Sequence, residues 1–309
     1  MIDSVTRVRL LLVAILLLCI GSEWAIAAEE SFAVRLVAGS DSPLVVQTTI
    51  HLGKLLRSYG IDVQDDPGEP AHTSRSRKQL VVTVGISAWR SVTPSVSPED
   101  MVVGVLVPAY IYDQEAAVRR AKTASVLISD PPPGRMLNLI RAAFPRISRV
   151  ALVASQNLLP QVPKIEALAA ERDLQLAVEK IRQESDVGPA VERLVRRGTV
   201  LVALPDGIVH NANTVQPLLL IAYRNGVPVV GYSESYLRAG AALAVYSTAE
   251  QIAQQAVEMV KSFLDGKSLP AIQSPRYFSV GVNRAVATSM DLNIPTAEEL
   301  TIQLRQMRE

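Results

Sequence analysis

Short, continuous apolar runs alternate with amphipathic stretches along most of the chain. The runs are rich in Val, Leu, Ile and Ala and lack strict polar alternation, which is typical of parallel strands covered on both faces. The stretches between them repeat apolar residues at helical spacing, and Gly266 stands where the last such pattern would end. This alternation predicts an α/β fold with mostly parallel sheets. The predicted strands are 33–39, 80–85, 101–108, 125–129, 149–155, 174–181, 200–205, 228–233, 241–247 and 276–283, and the clearest helical patterns are 43–60, 163–173, 188–198 and 249–267.

Two proline-bearing breaks divide this pattern. A chain of 309 residues suggests about two domains, and it has more predicted strands than one sheet comfortably holds. Pro residues interrupt segments 129–136 and 265–275, where neither a helix nor an interior strand could continue. We therefore predict two Rossmann-like lobes. Lobe one is predicted to comprise 31–130 and 244–270, lobe two 131–243 and 271–309, and the stretches 67–79 and 91–100 are predicted surface loops.

The first residues have the pattern of a secretory signal peptide. Arg7 and Arg9 precede an apolar run, 10–20, and small residues follow at Ala25 and Ala27. We expect a signal peptide over 1–27, cleavage after Ala27 and a periplasmic location. In the lipoprotein alternative Cys19 would carry the lipid, but Leu18 stands before it where such signals have a small residue.

Composition excludes several classes of protein. An apolar fraction of 49% with 20% charged residues supports sizeable cores, and a formal net charge of +1 offers no case for nucleic-acid binding. Cys19 is the single cysteine, so removal of 1–27 leaves no disulfide, thiol nucleophile or cysteine metal site. His51, His72 and His210 are scattered, and no glycine-rich phosphate motif follows a strand. We therefore expect no metal and no cofactor.

The sequence also gives little support for catalysis. Ser87 lies in VGISAW (84–89), which lacks the second glycine of a nucleophile elbow. Asp41, Asp206 and Glu234 could act as acid and base, but no positioned partner for them is evident. We expect a protein that is not an enzyme.

Small polar loops follow several predicted strands and open helices. Ligands of open parallel sheets bind beyond these strand ends, where helix N-termini present free N–H groups. Each Ser or Asn in these loops either caps a helix or contacts a ligand, and both interpretations stay open for Ser42, Ser87, Asn213 and Ser235. An amine of the ligand would pair with Asp206 or Glu234, and a flat group would stack on Tyr232 or Tyr236. The loops are 39–43, 85–89, 108–113, 205–211 and 231–236.

From RVALVASQN (149–157) to its end, the chain resembles bacterial ABC-transporter substrate-binding proteins of the tryptophan/tyrosine-uptake type. The segment 199–260 has the order strand, Asp loop, helix, Pro-Val strand, Ser-Glu loop, Gly-Ala strand and long helix, and VNRAVATSMDLNIP (282–295) is similar to the family's closing signature. The resemblance implies a type I periplasmic binding fold, in which three hinge crossings join two lobes around a ligand cleft. It implies ligand contacts from Ser40, Asp41, Ser42, Gly85, Ser87, Ala88, Pro108 and Tyr110 in lobe one, and from Asp206, Asn211, Ser233 and Glu234 in lobe two. To these we add Tyr236 of lobe two, whose ring could stack on the ligand.

Some positions depart from the family pattern. Gly85-Ile86 and Pro108-Ala109 stand where relatives commonly have Gly-Thr and Asp-Pro, so the ligand is either amino-acid-like or another small metabolite. We expect a solute-binding protein of an ABC importer, in which a ligand shifts a hinge equilibrium and an inner-membrane permease recognises the closed form. Two alternatives are a periplasmic sensor of the same fold that serves a signalling receptor, and an exported α/β hydrolase that uses Ser87 or Asp206.

Overall fold

A computed structural model describes residues 33–40, 42–66, 79–97, 99–114 and 124–309. The predicted signal peptide, Asp41, His72 and nearly all of the predicted loop 67–79 lie outside these residues. Within the described part of the chain, no helix is long and apolar enough to span a membrane.

The first sheet, which with its helices we call lobe one, has six strands among the described residues, and all of them run parallel. Its strand order is β11-β5-β4-β3-β1-β2. Burial is nearly complete along β3 and β4, as expected for strands with helices on both faces. The strands are β1 (Ala33–Ala38), β2 (Val63–Asp66), β3 (Gln79–Val84), β4 (Met101–Val107), β5 (Ala124–Ile128) and β11 (Ile272–Gln273).

The second sheet belongs to lobe two and also has six strands, in the order β12-β10-β9-β8-β6-β7. All its pairs are parallel except β10 with β12. The strands are β6 (Arg149–Ala154), β7 (Gln175–Lys180), β8 (Thr199–Val202), β9 (Val229–Gly231), β10 (Leu243–Tyr246) and β12 (Ser279–Val282). The α/β prediction with two mostly parallel sheets is confirmed.

Helices cover both sheets. In lobe one, α1 and α9 pack together over the sheet, and their apolar residues join those of β1, β3 and β4 in one core cluster. In lobe two, one core cluster includes α4, α5 and α11, and another on the opposite face includes α6 and α7. The helices are α1 (Pro43–Ser58), α2 (Ile86–Val92), α3 (Ala109–Gln114), α4 (Pro133–Ala143), α5 (Val162–Ala170), α6 (Val187–Leu194), α7 (Val215–Arg224), α8 (Glu234–Ala239), α9 (Ala249–Leu264), α10 (Arg284–Ser289) and α11 (Ala297–Gln306).

Three segments connect the two sheets, between β5 and α4, between β10 and α9, and between β11 and β12. The predicted lobe boundaries at 243/244 and 270/271 need correction at both later crossings. Strand β10 pairs with β9 and β12 and therefore belongs to lobe two, whereas β11 pairs with β5 in lobe one. Both crossings therefore fall three or more residues later in the chain than predicted.

Two proline-bearing segments contain more helix than predicted. Pro133 occupies the first turn of α4, where the missing N–H costs nothing, so the helix starts inside the predicted break 129–136. The predicted loop 91–100 begins with the end of α2 and a 3₁₀ turn, Thr93–Ser95.

Candidate functional site

The two lobes meet where the carboxyl ends of their parallel strands face each other. Tyr110 in α3 of lobe one reaches the loop after β8 in lobe two, since a Cβ on Gly207 would lie 3.2 Å from the Tyr110 hydroxyl oxygen. On the same helix, Gln114 Nε2 donates to Asn157 Oδ1 of lobe two at 3.2 Å. The cleft between the lobes is therefore bounded by side chains from both sheets.

The loops after β1 and β3 form one wall of lobe one. Ser42 caps α1, with its Oγ accepting from Val45 N at 3.4 Å. Gly85 adopts a φ of +91°, which a residue with a side chain rarely takes, and its N–H donates to the Val105 carbonyl at 2.8 Å. The first contact starts α1, and the second holds the loop after β3 against β4.

A backbone irregularity precedes the next loop. The register between β4 and β5 shifts between Val105 and Val107, and Leu106 between them has a φ of +60°. A buried Leu in this conformation is strained by about 1–3 kcal/mol, a kind of strain that often accompanies functional sites. The bulge sets the path of the chain into Pro108 and Tyr110.

Asp130 lies in the first crossing, two residues after β5, on the lobe-one side of the cleft. Its Oδ2 accepts from Ala109 N at 3.0 Å, and its Oδ1 accepts from the Ser129 hydroxyl at 2.8 Å. Burial raises the pKa of Asp130 to about 6, the charge of Asp113 adds to this rise, and the two hydrogen bonds oppose it.

In lobe two, Asp206 ties the loops after β6 and β8 together. Its carboxylate accepts from Ser155 N at 2.8 Å, from the Ser155 hydroxyl at 2.7 Å and from Ile208 N at 3.1 Å. The residue is 2% exposed. Asp206 is therefore a buried anchor of the site whose oxygens are engaged within the protein.

An aromatic cluster fills the space beside this anchor. His210 Nδ1 and the Tyr236 hydroxyl share a hydrogen bond of 2.5 Å, and Tyr232 lies against both rings, with centroids 5.9 Å from His210 and 5.2 Å from Tyr236. Burial lowers the pKa of His210 to about 4, against the opposing effect of Asp206, so the ring is neutral at pH 7. His210 Nε2 is buried and has no hydrogen-bond partner among the described residues.

Charges from both lobes act on the same tyrosines. Burial raises the pKa of Tyr110 and of Tyr232, and the charges of Asp130 and Asp206 raise both further. Arg90 lowers the pKa of Tyr110. One electrostatic environment, where the carboxyl ends of the two sheets meet, therefore includes Asp130, Tyr110, Tyr232 and Asp206.

The predicted contacts have different surroundings. Tyr110 and Asp206 are brought together at the junction of the lobes, and Pro108 lies beside them as the residue before α3. Ser40 and Ser87 are exposed, and Ala88 is buried against Gly39.

The remaining lobe-two residues are engaged within their own loops. Asn211 Nδ2 donates to Glu184 Oε1 at 2.9 Å, Ser233 caps α8, and Glu234 pairs with Arg238 at 3.2 Å. Tyr236 is 4% exposed and serves the aromatic cluster described above. Whether these predicted residues contact a ligand stays a prediction.

Sequence reasoning did not select Asp130, Ser155, Gly207 or His210 as site residues. Asp130 carried a usable signal, because an acidic residue directly after a buried strand lies at the carboxyl edge of the sheet. Ser155 and Gly207 carried none, since their roles depend on contacts with residues 51 and 97 positions away in sequence.

Solved structures share this architecture at low sequence identity. CD0873, a substrate binding protein with adhesive properties from Clostridium difficile in its ligand-free open form, is 13% identical, with a TM-score of 0.67 over 87% of this chain and 97% of that one. An ABC domain from Streptococcus pneumonia in complex with L-Trp is 14% identical, with a TM-score of 0.61 over 88% and 98%. A conserved domain protein from Vibrio cholerae is 17% identical, with a TM-score of 0.61 over 88% and 97%. The protein has the type I periplasmic binding fold.

The family follows from sequence. A family model for ABC transporter substrate binding proteins matches residues 132–307, more than half of the 309-residue chain. The chain belongs to this family of substrate-binding proteins, which confirms the resemblance at family level. No curated protein sequence matches the chain significantly.

Proposed function

We propose that the protein is the periplasmic solute-binding protein of an ABC importer, and that it binds a small molecule between its lobes without catalysis. Family membership and fold support the class of protein, and the secretory pattern of the first 27 residues supports the location. The solute would bind in the cleft, and an inner-membrane permease would receive it from the closed form.

The junction of Tyr110 with the Gly207 loop is the observation that carries this proposal. It brings aromatic and acidic groups of both lobes to one place, so a molecule bound there would contact both. A solute shifts the hinge equilibrium toward the closed form only by the affinity that it gains from the second lobe. The buried, unpartnered Nε2 of His210 supports the same location, because an unsatisfied buried nitrogen gains free energy from a ligand partner.

A thermal-shift screen of the mature protein against amino acids, purines and other small metabolites tests the proposal. A solute that binds the native state alone raises the melting temperature by mass action. With a bound solute in hand, Tyr232→Ala should weaken its affinity at least tenfold, since it removes a ring from the cleft.

The matched control is Tyr223→Ala, because Tyr223 lies in α7 of the same lobe and is 47% exposed. It should leave the affinity unchanged. Equal affinities of the wild type and Tyr232→Ala for the solute would show that the solute does not bind beside Tyr232.

A further inference from the structure

Arg135 is a buried cation at the point where two of the three crossings enter lobe two. It lies in the first turn of α4, directly after the first crossing, and is 3% exposed. Its Nη2 donates to the carbonyl of Pro275 in the third crossing at 2.8 Å, and its guanidinium carbon lies 4.3 Å from the centroid of the Phe278 ring. Arg135 therefore joins the start of α4 to the third crossing.

The counter-charge of Arg135 comes from a residue outside all three crossings. Arg135 Nε donates to Glu309 Oε1 at 2.5 Å, and within the described part of the chain no other carboxylate lies at ion-pair distance from the guanidinium. A buried arginine that loses its carboxylate is strongly destabilised, because its charge stays out of water without compensation. The position of Glu309 therefore decides whether Arg135 is stable beside Pro275.

A groove of lobe two holds the segment that carries Glu309. This segment, residues 307–309, follows α11, and we call it the strap. The Arg308 carbonyl accepts from Asn138 Nδ2 of α4 and from Arg172 Nη2, each at 3.0 Å. Arg172 Nε also donates to Asn138 Oδ1, so the two donors are fixed against each other. Side chains of lobe two thus bind the backbone of the strap as well as its carboxylate.

Gly134 lets the strap approach α4 closely. A Cβ at this position, next to Arg135 in the first turn of the helix, would lie 2.9 Å from the carbonyl carbon of Glu309 and 3.3 Å from its Cα. The clash would be with backbone, which cannot swing aside as a side chain can. A methyl group at residue 134 should therefore displace the strap and, with it, the carboxylate that Arg135 needs.

The third crossing also has hydrogen bonds to lobe one. Gln255 of α9 donates to the Ser274 carbonyl and accepts from Arg276 N, and the Tyr277 hydroxyl donates to Glu258 of the same helix. The bond from Arg135 to the Pro275 carbonyl therefore acts on a segment that both lobes hold. A change in this bond should alter how firmly the lobes are coupled.

We propose that the strap is a conformational latch on the hinge. While Glu309 is seated against Arg135, the third crossing is held to lobe two. When the strap leaves its groove, Arg135 releases the Pro275 carbonyl and the lobes sample a wider range of orientations. Glu309 and Gly134 act through Arg135 and are positioning residues, and the latch operates whichever solute the cleft binds.

Hydrogen exchange, followed by mass spectrometry on the protein without solute, tests the latch. In Glu309→Ala, the amides of 274–279 should exchange at least about fivefold faster than in the wild type, because the segment loses a fixed contact. Gly134→Ala should have the same effect although it removes no charge. In both variants, the distance distribution between spin labels on cysteines at exposed Ser91 and Gln216 should broaden.

A strap that only packs against lobe two would behave differently. Its loss would speed exchange in α4 and α5, whose side chains bind it, and would leave 274–279 and the distance distribution unchanged. That result in both variants would overturn the inference, as would wild-type exchange throughout.

The matched control is Glu179→Ala. It removes another carboxylate–arginine pair of lobe two, with Arg193 at 2.9 Å, on the strand at the opposite edge of the sheet from β12. This variant should change neither the exchange of 274–279 nor the distance distribution. Because neither measurement uses a solute, failure of the latch would leave the proposed function untouched.

Discussion

At the residue scale, two aspartates that follow strands of different lobes differ through their hydrogen bonds. Asp206 accepts from two backbone N–H groups and a hydroxyl, and it joins two loops of lobe two. Asp130 accepts from one N–H and one hydroxyl, and burial raises its pKa. The first arrangement ties two loops together, whereas in the second each oxygen of Asp130 accepts a single hydrogen bond from the described residues.

Asp206→Ala should therefore destabilise the protein. The substitution leaves the N–H groups of Ser155 and Ile208 without an acceptor, and each buried donor costs about 1–3 kcal/mol. We expect the free energy of unfolding in urea to fall by about 2–4 kcal/mol. The exposed Asp113→Ala is the control and should change it by less than about 0.5 kcal/mol. A variant as stable as the wild type would show that the loops hold without Asp206.

At the element scale, the loops of lobe one depend on close backbone approach. A Cβ on Gly39, directly after β1, would lie 2.3 Å from the backbone nitrogen of Ala88 in α2. Backbone cannot swing aside as a side chain can, so only glycine lets the loop and the helix approach this closely. Because Gly39 has no Cβ, the two predicted contact regions 39–43 and 85–89 can lie this close together.

Gly39→Ala should destabilise lobe one by about 1–3 kcal/mol, the usual cost of overpacking. The matched control is Gly53→Ala within α1, where the new Cβ would meet the movable end of Arg57 at 3.0 Å and Leu36 Cδ2 at 3.5 Å. This change replaces a helical glycine with the best helix former, so it should be neutral or stabilising by up to about 1 kcal/mol. Chemical denaturation measures both, and the reverse order of stabilities would contradict the packing described.

Secondary-structure elements could be predicted from the sequence more completely than the contacts between distant residues. Strands buried on both faces appear as continuous apolar runs, as in β4, where all seven residues are buried. Short helices such as α3 and α8 have only six residues, too few to show a helical period. Strand β11 has two residues, and its place in lobe one depends on bonds such as Ser125 Oγ to the Pro270 carbonyl, across 145 positions. The partners of Asp206 and Tyr110 could not be predicted for the same reason, because they lie far away in sequence.

At the scale of the whole molecule, hydrogen bonds fasten the third crossing to both lobes. Gln255 of α9 donates to the Ser274 carbonyl at 3.0 Å and accepts from Arg276 N at 2.7 Å. From lobe two, the buried Arg135 donates to the Pro275 carbonyl at 2.8 Å. Since three short segments join the lobes and the third is hydrogen-bonded to both of them, a hinge rotation of one lobe against the other is the motion that we expect of this fold.

The central claim, that a solute binds between the lobes and closes them, is tested most directly by a distance measurement across the cleft. Cysteine placed at exposed Ser91 of α2 and Gln216 of α7 would carry spin labels without interference, because the chain beyond residue 27 has no other cysteine. We predict that a saturating solute narrows the distance distribution and shifts it to shorter distances, because closure brings the two lobes together. An unchanged distribution with a solute that calorimetry shows to be bound would contradict the account.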